Sequence, residues 1–157
     1  MPTPSDSIAP PLTAHPLIEV RHSSVHGYGV FARTDIPSGT FLAFYEGRRY
    51  TPKQIARADF NDRLTYLFGL SDGSTIDGAQ GGNLTRHLNH ACVPNCEAVE
   101  VDGPRKRLVL RISTIRAVAA GEELFLDYAL TIDDNAAPSD YPCFCGTPAC
   151  RGDMVGR

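Results

Sequence analysis

The amino-acid sequence predicts a mainly β fold with little helix, and three observations lead to this prediction. Short apolar runs alternate with turns rich in glycine, proline and aspartate, at intervals of about eight to twelve residues. Only one segment carries the start signal of a helix. The 157 residues contain no internal repeat, and this length fits one compact domain with a sizeable hydrophobic core.

The first predicted strands are short apolar segments bounded by polar residues and glycines. Strands are expected around Ile18 and Val20, over residues 29–32, and over residues 41–47 after a turn at residues 36–39.

The single helix is predicted by a capping signal. Thr51 can act as the N-cap, and proline at position 52 suits the first helical position, so the helix is expected from Pro52 to Ala58. A β-hairpin should follow, with strands over residues 65–70 and 75–78 joined by the polar turn at residues 71–74.

A second hairpin and a final strand complete the expected elements. Residues 97–101 and 107–112 should pair across a turn at residues 102–104, and the basic residues 105–107 beside that turn are expected to be solvated. The turn that begins at Gly121 leads into a strand that ends near Tyr128.

Composition excludes several classes of protein. The formal net charge of −3 argues against direct nucleic-acid binding and suits a basic partner. No apolar stretch is long enough for a membrane-spanning helix. Residues 1–16 lack the features of a secretory signal and should form a flexible tail. We therefore expect an intracellular, cytoplasmic protein, or a nuclear or chromatin-associated one in a eukaryote or after delivery to a host.

The cysteines indicate a metal site. The chain has five, and three of them follow the pattern Cys143-x-Cys145-x4-Cys150. Three thiolates need a fourth ligand to complete tetrahedral zinc, and either Cys92 or Cys96 can supply it. The alternative is a set of reduced structural thiols, and an odd number of cysteines counts against a complete disulfide framework.

Five segments together resemble the signature of the SET-domain protein-lysine methyltransferases. They are HGYGVFA at 26–32, YEG at 45–47, RHLNHACVPNC at 86–96, GEELFLDY at 121–128 and CFCGTPACRG at 143–152. The resemblance extends from about Ile18 to Gly152. It departs from the family pattern at Thr85, His87 and Ala91, and a structural role is expected for His87.

The resemblance implies a fold and a division of the chain. The implied fold, the SET-domain or β-clip fold, consists of several small curved sheets, with a knot-like C-terminal crossing and a zinc-bound C-terminal flap. The tail would cover residues 1–16, the SET domain 17–130, a linker 131–141 and the post-SET zinc-binding segment 142–157.

The resemblance also implies the residues that bind S-adenosylmethionine. Two glycines around one aromatic residue allow backbone to approach a ligand closely, although such a pattern alone is often only a turn. An asparagine can both donate and accept hydrogen bonds in a dry site. The expected cofactor-binding residues are Gly27, Tyr28, Gly29, Arg86, Asn89, His90 and Phe144. For Phe144 the alternative is a hydrophobic plug, and a metal pair of His87 with His90 lacks the helical frame such pairs use.

Catalytic and metal roles follow from the same resemblance. Tyr128 falls on the catalytic tyrosine of the family, and Tyr45 matches a tyrosine along the lysine channel. Leu126 stands where the family often carries an aromatic residue that restricts the number of methyl groups added, so addition of up to three is expected. The implied zinc ligands are Cys92, Cys143, Cys145 and Cys150, which leaves Cys96 free.

The expected function is therefore methyl transfer from S-adenosylmethionine to a lysine of a protein or peptide, with a histone or histone-like basic protein as the substrate. Zinc is the second expected cofactor, and a homodimer is possible. Two alternatives belong to other classes. One is a catalytically inactive SET-fold module that binds peptides, and the other is a purely structural zinc domain.

Overall fold

Ten short strands in three small sheets account for most of the regular structure in the computed structural model, which describes residues 15–57, 66–132 and 134–156. Within these ranges the strands are β1 Ile18–His22, β2 Tyr28–Ala32, β3 Phe41–Tyr45, β4 Arg48–Tyr50, β5 Leu67–Gly69, β6 Thr75–Asp77, β7 Asn89–His90, β8 Cys96–Asp102, β9 Leu108–Thr114 and β10 Glu123–Leu126. The α-helix α1 covers Pro52–Arg57. The mainly β prediction is confirmed.

Local signals placed the helix and both hairpins. The helix begins at Pro52, with the Thr51 hydroxyl accepting from the Gln54 amide at 3.3 Å. Strands β5 and β6 pair antiparallel, and so do β8 and β9. Ala58 and Thr65, the predicted end of the helix and start of the hairpin, lie outside the described residues, as do residues 1–14 of the predicted tail.

The predicted strand over residues 41–47 is in fact divided. Strand β3 ends at Tyr45, and β4 begins at Arg48 in a different sheet. Gly47 sits in the break because a Cβ at this position would overlap the backbone of Asp77. The close approach of two backbone segments therefore ends the strand, which the apolar pattern of the segment does not reveal.

The turn between β8 and β9 also extends further than predicted. A 3₁₀ helix covers Pro104–Lys106, and Arg105 and Lys106 both have a φ of 59°. The amide of Arg107 donates to the carbonyl of Pro104 at 3.2 Å and closes the turn. Left-handed conformations are unfavourable for residues other than glycine, and an arginine followed by a lysine gives no sequence signal for one.

The sheet order positions the candidate site. One sheet has the order β1-β2-β10-β7, the second β3-β9-β8 and the third β4-β6-β5. In the first sheet β10 runs antiparallel to β2 and parallel to β7, with Phe125 opposite Asn89 and Leu126 opposite His90. The last strand of the chain thus lies between two earlier ones.

The hydrophobic core joins the first two sheets. Its most buried members include Val30 on β2, Ile112 on β9 and Leu124 on β10, which are fully buried, and Tyr128 packs against this cluster from outside. No buried core residue comes from positions after Leu126 in this cluster of described residues. The C-terminal segment, residues 140–156, is therefore held to the rest of the domain by contacts outside this core.

Candidate active site and metal site

A cavity of about 550 Å³ lies where β2, β7 and the end of β10 meet the C-terminal segment. It combines aromatic rings with polar side chains and backbone, which is typical of a small-molecule site, and its volume is within the usual range for such sites. The lining residues are Val25, His26, Gly27, Tyr28, Tyr66, Ala79, Arg86, His87, Asn89, His90, Tyr128, Asp140, Tyr141, Pro142, Cys143, Phe144 and Met154.

Most of the predicted cofactor-binding residues lie around this cavity. Gly27, Tyr28, Arg86, Asn89, His90 and Phe144 all line it. Gly29 does not belong to the lining, and its role is structural in the first instance. A Cβ on Gly29 would overlap the carboxylate of Glu123, so glycine at this position lets strand β2 and that carboxylate approach each other.

Asn89 is fixed by the loop before β2. Its Nδ2 lies 3.0 Å from the carbonyl oxygens of His26 and Tyr28 and 3.0 Å from Oε2 of Glu123. Glu123 in turn accepts from the hydroxyl of Ser23 at 2.8 Å. The side-chain amide thus ties β7 to the backbone that borders the cavity, and the polar groups are satisfied although Asn89 and Glu123 are buried.

His90 joins β7 to the end of β10. Its Nδ1 accepts from the amide of Tyr128 at 2.9 Å, which assigns the proton of the neutral ring to Nε2. Nε2 lies 3.5 Å from the sulfur of Cys92. Burial lowers the pKa of His90 below its ordinary value, and the nearby Asp127 only partly opposes this. The ring is therefore neutral at pH 7.

Tyr128 presents a protonated hydroxyl. The hydroxyl donates to the carbonyl oxygen of Leu88 at 2.5 Å, and burial raises the pKa of Tyr128 well above its ordinary value. Tyr45 is similar, since burial raises its pKa and its hydroxyl donates to the carbonyl oxygen of Tyr66 at 2.8 Å. Both hydroxyls can donate or orient hydrogen bonds near neutral pH, but neither is placed to act as a base.

Tyr45 and Leu126 lie behind the cavity wall. Tyr45 is buried and does not line the cavity, but its hydroxyl donates to the carbonyl oxygen of Tyr66, which does. Leu126 is 2% exposed and belongs to the hydrophobic core, opposite His90 in the parallel strand pair. Leu126 thus lies two residues before Tyr128 in the chain and is not among the residues that line the cavity.

Four cysteines form a candidate metal site. The sulfur atoms of Cys92, Cys143, Cys145 and Cys150 all lie within 4.8 Å of one another, with Cys92 to Cys143 at 3.6 Å and Cys92 to Cys150 at 4.0 Å. Tetrahedral zinc with Zn–S bonds of about 2.3 Å requires sulfur atoms about 3.8 Å apart. These four residues fit zinc.

Backbone amides contact three of the four sulfur atoms, as they do around metal-bound thiolates. Backbone amides donate to three of them: Arg151 to Cys92 at 3.3 Å, Cys145 to Cys143 at 3.4 Å and Gly152 to Cys150 at 3.4 Å. The remaining cysteine, Cys96, is 1% exposed in the hydrophobic core, and burial raises its pKa to about 12. It lies apart from the cluster and has the properties of a small apolar residue.

The sequence missed several lining residues. Tyr66 belongs to an apolar strand pattern, and Tyr141 and Met154 flank the cysteine motif without any signal of their own. His87 lines the cavity as well, where only a structural role was expected. These side chains meet because distant segments fold together, and no local spacing could have indicated their proximity.

His87 should make the stability of the protein depend on pH. Burial, with the neighbouring Arg86 guanidinium, lowers the pKa of His87 to about 4 from about 6.5, and Nε of Arg86 donates to its ring at 3.2 Å. The folded protein then binds fewer protons than the unfolded chain, so stability should fall as pH decreases from about 6.5 to 4. We expect this group to contribute about 1–2 kcal/mol of the loss after solvent screening.

Urea unfolding at several pH values would test this expectation. His87→Phe should unfold with a smaller dependence on pH between 6.5 and 4 than the wild type, because phenylalanine cannot be protonated. Equal pH dependence in the two proteins would contradict it.

Comparison with known proteins defines the class to which this fold and site belong. The SET domain family profile matches residues 27–129, which is more than half of the chain, and the chain belongs to the SET-domain family. A solved structure described as "ctPRC2 in an autoinhibited conformation bound to S-adenosylmethionine" has a TM-score of 0.62 and 30% sequence identity, covering 72% of this chain and 15% of that chain.

Curated relatives carry related names. The chain is 34% identical to "Histone-lysine N-methyltransferase, H3 lysine-4 specific" of Chaetomium globosum, with coverage of 86% of this chain and 13% of that protein. It is 38% identical to "Histone-lysine N-methyltransferase ash1" of Drosophila melanogaster, with coverage of 83% and 6%. For "Histone-lysine N-methyltransferase 2B" of Homo sapiens the identity is 33%, with coverage of 88% and 5%. The chain thus spans a small part of the relatives' length.

No helix in the described part of the chain is both long enough and apolar enough to cross a membrane.

Proposed function

We propose that the protein transfers methyl groups from S-adenosylmethionine to the side-chain amine of lysine in a protein substrate. One observation carries the proposal. The parallel pairing of β7 with β10 brings the Asn89 amide, the His90 ring and the Tyr128 hydroxyl to one cavity beside the cysteine cluster. The names of the relatives and the cofactor bound in the similar solved structure support the same activity.

The cavity contains suitable groups for the cofactor. The backbone of Gly27 and Tyr28 and the side chains of Arg86 and Asn89 would hold its polar amino-acid part, and His90 would border the base. Phe144 lines the same cavity and is 65% exposed, so its ring is free to cover a ligand. When bound, the cofactor supplies a sulfonium methyl group, whose carbon leaves sulfur with the electron pair remaining on sulfur and bonds to the lysine nitrogen.

The lysine must be neutral to attack. With a free lysine pKa of about 10.4, deprotonation at pH 7 costs roughly 4.6 kcal/mol, and an enclosed apolar channel reduces this cost by disfavouring the charged form. The tyrosines provide such a channel. Tyr66 and Tyr128 line the cavity, and Tyr45 fixes the Tyr66 backbone from behind. Because burial raises the pKa of Tyr128, its hydroxyl stays protonated, so it orients the amine and does not accept its proton, which leaves through solvent.

We infer that zinc is bound by Cys92, Cys143, Cys145 and Cys150. The sulfur separations suit tetrahedral zinc, and Cys143 and Phe144 also line the cavity. When bound, zinc would join the C-terminal segment to Cys92, which lies two residues after β7. These four residues hold the segment in place as the wall of the cavity, so zinc here has a structural role.

The substrate is proposed to be a lysine in a basic protein such as a histone. The formal net charge of −3 suits a basic partner and disfavours direct contact with nucleic acid or with an anionic membrane. An intracellular location, in the cytoplasm or near chromatin, is consistent with five reduced cysteines.

The test is methyl transfer from labelled S-adenosylmethionine to a panel of purified histones and other basic proteins, followed by mapping of the modified residues. Transfer to lysine would support the proposal. Binding of the cofactor to zinc-loaded protein should be measured in parallel by calorimetry. Absence of both transfer and cofactor binding would overturn the proposal and favour the inactive peptide-binding module.

Leu126 is proposed to allow multiple methylation: it does not line the cavity itself but pairs with the lining residue His90, so a larger side chain at this buried position would extend towards the cavity. Leucine is smaller than the aromatic residues found there in the family and has no hydroxyl to hold a water molecule beside the amine. We expect the wild type to produce up to trimethyl-lysine, and Leu126→Tyr to stop at monomethyl-lysine. Phe125→Tyr is a matched control, because it adds the same hydroxyl at the neighbouring strand position, on the opposite face.

Mass spectrometry of a methylated peptide under excess cofactor would count the methyl groups. A wild-type reaction that stops at monomethyl-lysine would contradict the assignment, as would identical products from Leu126→Tyr and Phe125→Tyr.

A further inference from the structure

We propose that the ion pair between Asp127 and Arg151 positions the hydroxyl of Tyr128 by holding Ala129 in a left-handed backbone conformation. The inference rests on the proposed methyl transfer and assigns a positioning role to two residues outside the cavity lining. Arg151 follows the last cysteine of the metal site, whereas Asp127 precedes the tyrosine. The pair would therefore couple the C-terminal segment to the residues that follow β10, which include Tyr128.

The chain bends sharply just after Tyr128. Ala129 has a φ of 45°, a conformation that is unfavourable for residues with a Cβ. The carboxylate of Asp127 stabilises this bend, since its Oδ1 accepts from the amide of Ala129 at 3.0 Å. Such strained residues persist only where the surrounding structure holds them, and they concentrate at functional sites.

Arg151 fixes the carboxylate of Asp127, which in turn stabilises the bend at Ala129. Its Nη1 and Nη2 donate to Oδ2 and Oδ1 of Asp127 at 2.9 and 3.0 Å, which is the bidentate geometry of a strong, directional ion pair. Burial alone would raise the pKa of Asp127, but hydrogen bonds from Arg151 and Ala129 lower it below its ordinary range. The carboxylate is therefore charged at neutral pH, with both oxygens bonded to Arg151.

The backbone of Arg151 is anchored at the metal site. Its amide donates to the sulfur of Cys92 at 3.3 Å, and Nε of its side chain is buried without a hydrogen-bond partner among the described residues. The side chain as a whole is 25% exposed, so the two hydrogen bonds to Asp127 are what fix the direction of the guanidinium. Arg151 is thus fixed at its backbone by Cys92 and at its guanidinium by Asp127. The position of Asp127 therefore depends on the position of the cysteine cluster.

The far side of the bend is fixed as well. The amide of Leu130 donates to the carbonyl oxygen of Met154 at 2.9 Å, and the amide of Gly156 donates to the carbonyl oxygen of Leu130 at 3.0 Å. A Cβ on Gly156 would come within 3.0 Å of the carbonyl oxygen of Ala129. The segment that follows Arg151 therefore packs directly against the strained residue.

The position of Tyr128 depends on this bend. Its amide donates to His90 and its hydroxyl to Leu88, so the ring is held only when the backbone keeps its direction. Displacements of about 1 Å can reduce a rate by about a hundredfold when reacting groups must be aligned. If the ion pair were lost, Ala129 would relax towards an ordinary conformation and Tyr128 would move with it.

Arg151→Gln tests this role with three measurements. We expect kcat to fall by about ten- to a hundredfold, because Tyr128 is misplaced. The KM for S-adenosylmethionine should stay within about twofold, and zinc measured by mass spectrometry should stay at one ion per chain, because the lysine side of the cavity changes and the four cysteines do not. Arg151→Lys, which keeps the charge and loses the bidentate geometry, should give an intermediate rate.

A matched control and a rescue make the test specific. Arg116 forms an ion pair with Glu122 at 2.6 Å on the exposed surface, so Arg116→Gln should leave kcat unchanged. Glycine adopts a left-handed conformation without strain, so Ala129→Gly added to Arg151→Gln should raise kcat about fivefold.

Other results would overturn the proposal. Loss of zinc or of folding in Arg151→Gln, or an unchanged kcat, would assign the ion pair to stability alone. A double variant no faster than Arg151→Gln would show that Ala129 is not the residue being held. Wild-type protein that binds zinc and cofactor but transfers no methyl group to any lysine substrate would instead count against the proposed function.

Discussion

Tyr128→Phe should reduce methyl transfer by roughly a hundredfold or more while the affinity for S-adenosylmethionine stays nearly unchanged. The hydroxyl of Tyr128 is the one group that this substitution removes, and it donates to the carbonyl oxygen of Leu88 at 2.5 Å. Because the pKa of Tyr128 is raised by burial, the hydroxyl acts as a hydrogen-bond donor over the whole working range of pH. The rate should therefore fall by a similar factor at pH 7 and pH 9.

The measurement is a time course of labelled methyl transfer, with cofactor affinity from calorimetry. Tyr50→Phe is the control, since Tyr50 is buried on β4 and does not line the cavity. Loss of the Tyr128 hydroxyl should also cost about 1 kcal/mol of stability, because the Leu88 carbonyl loses its partner. An unchanged rate in Tyr128→Phe would remove this residue from the catalytic role.

Cys150→Ser should abolish stable zinc binding and, with it, the cavity. Three remaining thiolates bind zinc much more weakly than four, and binding to a four-cysteine site is worth on the order of 10 kcal/mol in small zinc-binding peptides. The wall formed by residues 140–144 and Met154 would then lose its anchor. We expect cofactor affinity to fall at least about tenfold, and a strong chelator should have the same effect on the wild type.

The body of the domain should stay folded in that variant. The described hydrophobic core is built from residues 18–126 and contains none of the four cysteines of the site. Circular dichroism should therefore change little. Cys96→Ala is the matched control: zinc and cofactor binding should be kept, and stability should fall by about 1–2 kcal/mol because a buried side chain is shortened. Zinc retained by Cys150→Ser would contradict the assigned ligand set.

The sequence predicted those parts of the fold that depend on neighbouring residues. The helix start at Pro52 and the β5–β6 hairpin follow from capping and turn chemistry, and both are present. The division at Gly47 was not predicted, because it results from contact with Asp77 thirty residues later. Short-range signals carry no information about such an approach.

The candidate site shows the same limit. Asn89, His90 and Tyr128 were indicated only because their motifs resemble a known family, and their meeting depends on a parallel strand pair that no periodicity reveals. Tyr66 and Met154 carried no signal. The ion pair of Asp127 with Arg151 also joins residues far apart in sequence, so it could be recognised only from the folded structure.

The order of strands in the first sheet has a consequence for biosynthesis. Strand β10 lies between β2 and β7, although it is synthesised after all the other described strands. Until Leu126 emerges, β2 and β7 each expose an edge that only β10 satisfies, and His90 is made 36 residues earlier (126 − 90). At about 5–20 residues per second this interval lasts about 2–7 s. During those seconds the nascent chain exposes unpaired strand edges to other nascent chains, and slow translation between β7 and β10 would increase aggregation before the sheet is complete.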